Sequence, residues 1–585
     1  KGYLQKRMDE TVDGEFQNYK AKGGKYTREH FFNKYPELKE IIKDMSDEDI
    51  FKLNRGGHDP YKVFAAYQQA MNHKGQPTVI LAHTVKGYGM GPEAEAQNPS
   101  HSVKKLDFNS LKAFRDRFDV PIRDEDLEKL PFYRPPEDSP EMIYLRKQRE
   151  KLGGYMPVRT ETWQALKAPE VASFKGQIEG SGDREISSTM AFVRILSQLV
   201  KDKSLGERVV PIVPDEARTF GMEGMFRQLG IYSSEGQLYN PVDSGQMMYY
   251  REDKKGRILE EGINEAGAFA AWMAAATSYS TNSLAMVPVY VFYSMFGFQR
   301  IGDLAWAAGD MQAQGFLIGA TSGRTTLNGE GLQHQDGHSH VLASSIPNCV
   351  SYDPTYGYEL AVIMQDGLHR MYEKKEKVFY YITTMNENYT HPAMPEGAEE
   401  GIRRGMYSLK TVGKSTKDNQ NCVQLLGSGA ILLQVEKAAE WLADKGICSQ
   451  VWSVTSFNEL RRDGLGCERQ DYLSAGESKE EPYVTRLLNK TDGPIIAATD
   501  YIKTYADQIR PYIPADRSYK VLGTDGFGRS DTRENLRYFF EVDWQHVAWA
   551  ALYELKKQGK ISTEQLNQSR EELDINPAKL DPLYS

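Results

Sequence analysis

Cysteine is scarce: Cys349, Cys422, Cys448 and Cys467 are the four in 585 residues, widely spaced and without a CxxC pair. That spacing excludes a disulfide framework and a zinc knuckle, and it fits a reducing compartment. Long apolar runs are missing too, none reaching the ~20 residues that span a bilayer. The first thirty residues are charged and polar, unlike a signal peptide, so the chain reads as cytoplasmic with no membrane partner. There is no basic excess: 72 Lys plus Arg stand against 81 Asp plus Glu, a net charge of -9. With no basic block to neutralise a phosphate backbone, nucleic acid is excluded as a partner. Methionine does not open the sequence, which starts at Lys1 inside a helical pattern. The expectation from this start is a larger parent that has lost its N-terminus.

What is present is enough apolar material for several cores, including 34 Tyr, 23 Phe and 7 Trp. Residues 1–130 read as mixed helix and strand, with an apolar strand at Thr78–Ala82 after Pro77. From 131 to 185 the prolines Pro131, Pro135, Pro136, Pro140 and Pro157 mark a linker. The block 186–397 alternates helix and strand. Helix Ser188–Val200 leads to strand Val209–Val213, helix Ile263–Thr277 to strand Val287–Phe292, and helix Tyr358–Tyr372 to strand Val378–Ile382. A third cycle, 398–585, has strand Val423–Leu426, a helix over 431–443, and strands near Val451 and Ile495. Apolar strands between amphipathic helices predict an α/β fold: three consecutive units with mostly parallel sheets, the first incomplete.

Several constellations can carry chemistry. Lys86 opens a turn with Gly87, Gly89 and Gly91, either a cradle whose amides approach a phosphate or a flexible turn after a strand. His101 ends a small polar loop that either closes over a site or is plain surface. Glu265 stands at the mouth of an Ala-rich helix whose composition predicts burial on most sides. Its carboxyl is either a helix-start charge or an acid held for a bound heterocycle. His334, His338 and His340 fall within seven residues, as a metal site or as loop histidines that move protons or bind an anionic substrate. Asp215, Glu216 and Arg218 follow strand Val209–Val213, at the edge where parallel sheets bind ligands, or simply cap a helix.

Together these stretches resemble the homodimeric bacterial pyruvate dehydrogenase E1 components, within the transketolase-like thiamin diphosphate enzymes. The resemblance is carried by NRGGHDP at 54–60, ILAHTVKGYGMG at 80–91, DEARTFGMEGMFRQLGIY at 215–232 and EGINEAGA at 261–268. It continues in YSMFGFQRIGDLAWAAGD at 293–310, TSGRTTLNGEGLQHQDGHSH at 321–340 and LGTDGFGRSDTRENLR at 522–537. It spans essentially the whole chain. It implies three domains: the C-terminal part of a diphosphate-binding domain, a pyrimidine-binding domain and a C-terminal domain. It also implies decarboxylation of pyruvate with thiamin diphosphate and reductive acetylation of the lipoyl domain of dihydrolipoyl acetyltransferase, by a homodimer. The residues implied are Glu265 as the acid on the aminopyrimidine nitrogen, Phe296, Tyr293 and Arg300 beside that ring, and Lys86 near the diphosphate. His334, Asp215 and Glu216 fall in the same site and His101 on the active-centre loop, while His340 matches a DGxxH pattern whose role is open. The family holds Mg2+ and the diphosphate through a GDG motif followed by an Asn, and no GDG occurs here. The metal ligands are therefore expected before Lys1, and these 585 residues alone are expected to bind cofactor poorly or not at all. Alternatives are a transketolase or another 2-oxo acid dehydrogenase, an inactive fragment, and a metallohydrolase built on the histidine cluster.

Overall fold

The computed structural model describes residues 2–155, 162–215, 217–414 and 421–585, and divides into two compact units at Met156/Pro157. No helix among the described residues is long and apolar enough to cross a membrane.

The first unit has helices but no strand among its described residues. Helix α1, Asp13–His30, is kinked at Gly23, where φ is 85°. The next residue, Gly24, lies so near Asp47 that a Cβ would stand 1.6 Å from the Asp47 carbonyl oxygen. A small core of Tyr19, Phe31, Phe32, Leu38, Ile42 and Ile50 holds this end. Helix α2, Pro60–Asn72, begins where Asp59 accepts from the Tyr61 and Lys62 amides, with Pro60 at the first position, where a missing N–H is harmless. It buries none of its residues, and Tyr61, Phe64, Tyr67 and Met71 are exposed. The strand expected over Thr78–Ala82 is not formed. The segment is unpaired, and Val79 and Leu81 are 81% and 92% exposed. Its residues favour a strand, but a strand is stable only against a partner, and none of the described residues pairs with it. The proline-rich stretch is also more ordered than a linker. Pro140–Lys151 is helical, with Ser139 accepting from the Met142 amide and Pro140 again at the tolerated first position.

Among its described residues the second unit carries two large sheets and two small two-stranded ones, Glu185–Ile186 with Tyr389–Thr390 and Ile231–Tyr232 with Glu252–Asp253. In chain order the strands of the first large sheet are β1 Val209–Val213, β2 Leu259–Glu260, β3 Val287–Phe292, β4 Phe316–Ala320, β5 Cys349–Tyr352 and β6 Phe379–Thr384. They lie β2-β1-β3-β4-β6-β5, every pair parallel. All six residues of β3 are buried, because helices cover both faces. The period of two sends Val287, Val289 and Val291 into one core and Tyr290 and Phe292 into the other. The covering helices include α3 Ser188–Leu199, α4 Glu265–Ala276, α5 Gly297–Asp310 and α6 Gly357–Leu368. The sequence reading of β1 and β3 matches to the residue, and helix Tyr358–Tyr372 is α-helical to Leu368 and continues as the π-helical turn His369–Glu373. The expectation that α4 is buried on most sides fails: Ala266, Ala270 and Ala274 form an exposed face.

The second sheet has β7 Tyr407–Val412, β8 Cys422–Gly427, β9 Cys448–Ser453, β10 Ile495–Ala498 and β11 Tyr519–Leu522. Their order is β7-β9-β8-β10-β11, with β7 antiparallel to β9 and the rest parallel. Helices α7 Ile431–Asp444 and α8 Trp544–Lys557 pack together beside it.

Candidate functional site

In the first sheet β2 and β3 flank β1, so the chain leaves β1 to one side and later returns on the other. The connections diverge at the C-terminal edge, the place where open parallel sheets bind ligands. Of the six segments that leave that edge, four are 214–215 after β1, 261–264 after β2, 293–296 after β3 and 321–340 after β4. The Glu261 and Gly262 amides donate to the carbonyls of Val213 and Pro214 at 3.1 and 2.8 Å, which fixes the approach to α4. Asn264 caps that helix by accepting from the Gly267 amide at 3.1 Å, and Gly267 leaves room for the cap, since a Cβ there would lie 2.6 Å from the Asn264 amide nitrogen.

Glu265 is therefore the first residue of an apolar helix, 8% exposed, where the helix dipole favours a negative charge. Its Oε1 accepts from Nη1 of Arg300, which is in the first turn of α5. The Arg300 guanidinium lies over the Phe296 ring at 4.1 Å from its centre. Phe296 meets the His334 ring edge-on at 5.3 Å, and Tyr293 stacks on His334 at 5.0 Å. Phe220, on the segment that follows β1, meets Tyr293 edge-on at 5.6 Å. His334 Nδ1 is 3.1 Å from the Glu330 carboxylate. A buried acid, a cation, three rings and a histidine thus form one continuous set.

Asp215 is exposed at the end of β1, while Glu216 lies outside the described residues. Beside Asp215 stands Glu260, whose carboxyl is raised above its ordinary range by burial, with the negative charge of Asp215 adding to the effect. The Tyr250 hydroxyl donates to Glu260 at 2.9 Å and to Glu252 at 3.2 Å, and burial together with these carboxylates pushes the phenol up. Glu260, Tyr250 and Glu330 escape the sequence reading. Of the three only Glu330 carries a local signal, four residues before His334.

The three clustered histidines diverge. His340 is wholly buried, stacked on Tyr505 at 4.9 Å with Nε2 2.9 Å from the Thr383 hydroxyl, and burial pushes its pKa down to about 3. It is a neutral core residue. Asp336 accepts from the amides of His338 and Ser339 at 2.9 and 3.0 Å, starting the helical turn that carries His340 inward. Among the described residues no three His, Cys, Asp or Glu side chains stand together as a metal site.

Lys86 and His101 belong to the first unit, and both are exposed. Gly87, Gly89 and Gly91 all have positive φ, which suits a tight turn and a cradle alike. The Gly89 amide, however, donates to Glu95 of the same loop at 3.1 Å. Lys20, at 3.4 Å, and Arg117 also meet Glu95. Burial would raise this carboxyl, but the Gly89 amide and the two cations hold it below the usual range. The anion on the turn is the loop's own carboxylate. His101 stands on the 3-10 turn Asn98–Ser102, which Gln17 of α1 anchors by donating to the Ala96 carbonyl at 2.9 Å and to the Asn98 side chain at 2.8 Å.

The architecture of the chain is that of transketolase-like proteins. A transketolase from Campylobacter jejuni superposes with a TM-score of 0.57 at 18% identity, covering 85% of this chain and 66% of that one. One from Pichia stipitis gives 0.55 at 15% identity, covering 86% and 66%. Closer kinship is in sequence. The pyruvate dehydrogenase E1 component middle domain matches residues 166–392, and the transketolase-like C-terminal domain matches 405–543. The pyruvate dehydrogenase E1 component of Pseudomonas aeruginosa is 64% identical over 583 residues, which is 100% of this chain and 66% of that protein. That of Escherichia coli is 57% identical over 584 residues, 99% of this chain and 65% of the relative. The chain belongs to the pyruvate dehydrogenase E1 component family, and it spans about two thirds of the length of these relatives.

Proposed function

We propose that this chain works, at the full length of its relatives, as the thiamin diphosphate-dependent component that decarboxylates pyruvate and passes the acetyl group to the lipoyl domain of dihydrolipoyl acetyltransferase. The observation that carries this reading is the Glu265 carboxyl, buried at a helix start beside Phe296 and Arg300. Its surroundings fit the pyrimidine end of the cofactor: one acid to meet a ring nitrogen and aromatic faces to fix the ring plane. When bound, thiamin diphosphate supplies the nucleophilic carbon and the electron sink that cleavage of a 2-oxo acid needs.

The chain's own residues divide the remaining work. Glu265 holds a proton between its carboxyl and the ring nitrogen, in a niche that excludes most water. Phe296 and Tyr293 orient the ring. His334, backed by Glu330, serves proton transfer at the reacting centre with Asp215 on the same edge, and Glu216 is assigned to the same site. In the first unit, Lys86 is assigned to the diphosphate and His101 to acetyl transfer. Mg2+ is assigned to the diphosphate. A homodimer is supported by the exposed face of α4, where Ala266, Ala270 and Ala274 stand in line with Ile263, which is 69% exposed. An alanine face of this kind lets helices approach closely, as in contacts between copies of one chain. The reducing compartment of the proposal is the cytoplasm.

The test is turnover of the full-length protein across 2-oxo acids and ketose phosphates, with Glu265→Gln alongside. Pyruvate is expected as the preferred substrate, and Glu265→Gln is expected to lower kcat by ~100-fold or more, the scale of a lost proton-transfer group, with an unchanged melting temperature. Preference for a ketose phosphate, or full turnover by the variant, overturns the proposal.

A further inference from the structure

Resting on that reading of His334, we propose that Gln335 is a positioning residue through which a turn of the second sheet, residues 523–531 after β11, holds the His334 imidazole in the candidate site of the first. The segment that bears the histidine has little rigidity of its own. Gly329 and Gly331 precede the ring, and around it the chain forms no more than the single 3-10 turn Leu332–His334. A lone turn of this kind is not stable by itself. The ties that fix it come from the turn 523–531. Gln335 is 1% exposed; its Oε1 accepts from the Arg529 amide at 2.7 Å, and its Nε2 donates to the Leu327 carbonyl at 3.5 Å. The Gly329 amide donates to the Asp531 carbonyl at 3.0 Å. Between these two ties Gly528 lies against the 3-10 turn itself, where a Cβ would stand 2.8 Å from the Leu332 carbonyl oxygen and 3.0 Å from the Gln335 side chain. The holding turn is fixed in its own place: the Thr524 amide donates to the Tyr501 carbonyl at 2.9 Å, and the buried Arg324 guanidinium donates to the Thr524 and Gly526 carbonyls.

The ring contacts of His334 do not do this work. Tyr293 and Phe296 touch the imidazole, and Glu330 lies on the same segment as the histidine, so none of them sets the height of that segment over the sheet edge. The Arg529 amide does, because it hangs from a strand of the other sheet. A neutral amide side chain suits the place, accepting from one stretch of backbone while donating to another, which no apolar side chain of that size can do. Without it, a buried N–H and a buried carbonyl each lose a partner, and the segment shifts to find others.

The test uses the full-length protein and reads two quantities. One is the rate at which diethyl pyrocarbonate modifies His334, followed by fragment mass spectrometry that separates it from His338 and His340. The His334 side chain is 23% exposed and stacked on Tyr293, so loosening its segment should open it to the reagent. Gln335→Met and Gly528→Ala are each expected to speed the modification several-fold, and unchanged rates in both overturn the proposal. The other quantity is turnover of pyruvate with an artificial electron acceptor. Gln335→Met is expected to lower kcat by ~10-fold, the scale of a slight misplacement of a reacting group, and Gln335→Glu, which keeps the acceptor, to recover part of the loss. In a His334→Ala background Gln335→Met is expected to change kcat by less than about twofold, because two residues that act through one group are not additive. A loss of ~10-fold in both backgrounds marks a general effect on the fold and overturns the proposal. Wild-type turnover by His334→Ala would instead sink the catalytic reading of His334, and the modification rates would then decide the positioning by themselves.

Discussion

A carboxyl group inside an apolar helix is costly unless something meets it, and that cost makes Glu265 legible in the sequence. Its partner was not legible. Arg300 is 35 positions away, and no local spacing encodes a pairing that depends on two helices starting at one sheet edge. Glu330 lay within reach of sequence reasoning, four residues before His334, but Gly331 follows it directly and argues against the helix in which such a spacing would be read. His101 makes a prediction at this scale. It is exposed on a short turn whose anchor, Gln17, holds the Ala96 and Asn98 side of the loop and not the ring. In the full-length protein His101→Ala should lower acetyl transfer to a lipoyl domain by ~10-fold or more while leaving decarboxylation measured with an artificial electron acceptor within about twofold. Paired assays on one preparation check this, and equal losses in both would remove the proposed role.

Among the elements, the strands read correctly are those with continuous apolar runs, such as β1 and β3. Most of those missed have weaker signals, but β4, Phe316–Ala320, is a continuous apolar run that also went unread. The first missed strand, β2, is two residues long, β5 is four residues with a serine in it, and β7 alternates apolar with polar residues at the antiparallel edge of its sheet. The reverse error, at Thr78–Ala82, shows that propensity names a strand only when a neighbour exists. Between elements, one contact invites a stability measurement. Glu359 of α6 is wholly buried, and its two oxygens accept from the Thr355 and Tyr356 amides at 2.6 and 3.0 Å and from the Tyr407 and Ser453 hydroxyls, both at 2.6 Å. Burial raises this carboxyl, and the four donors offset part of that rise. Tyr407 starts β7 and Ser453 ends β9, so the acid fastens a helix of the first sheet to the second. Glu359→Ala should cost ~3–5 kcal/mol in denaturant unfolding, because it strands several buried donors, and Glu359→Gln about half as much. A cost for Glu359→Ala below ~1 kcal/mol would show that the donors find other partners.

At the scale of the second unit, the two sheets meet through a pair of buried acids. Asp353 follows β5, and its backbone amide donates to the Thr455 carbonyl at 2.8 Å. Asp500 follows β10 and accepts from the Thr325 amide at 3.0 Å. Burial lifts each to about 7, and the charge of Arg537 lowers Asp500 while Asp336 and Glu359 raise Asp353. In the unfolded chain both titrate near ~3.9. Below that value both states are protonated, and the stability these acids permit is fully present. Between about 4 and about 7 only the unfolded chain loses protons, so stability falls as pH rises, and above about 7 it levels off. Asp353→Asn combined with Asp500→Asn should therefore flatten the fall in melting temperature between pH 5 and pH 7.5. Parallel curves for wild type and variant would refute this. No local pattern pointed to the pair, since each acid follows its own strand and they come near each other only after both sheets have formed.

The bare aromatic ridge of α2 and the unpaired segment that follows it have a practical consequence for handling the molecule. A polypeptide showing water this much greasy area in one stretch is apt to stick to its own kind and to holdase chaperones. Its yield in a soluble state should then depend less on the well-packed sheets than on whether something lies over that ridge while the rest of the fold is being made.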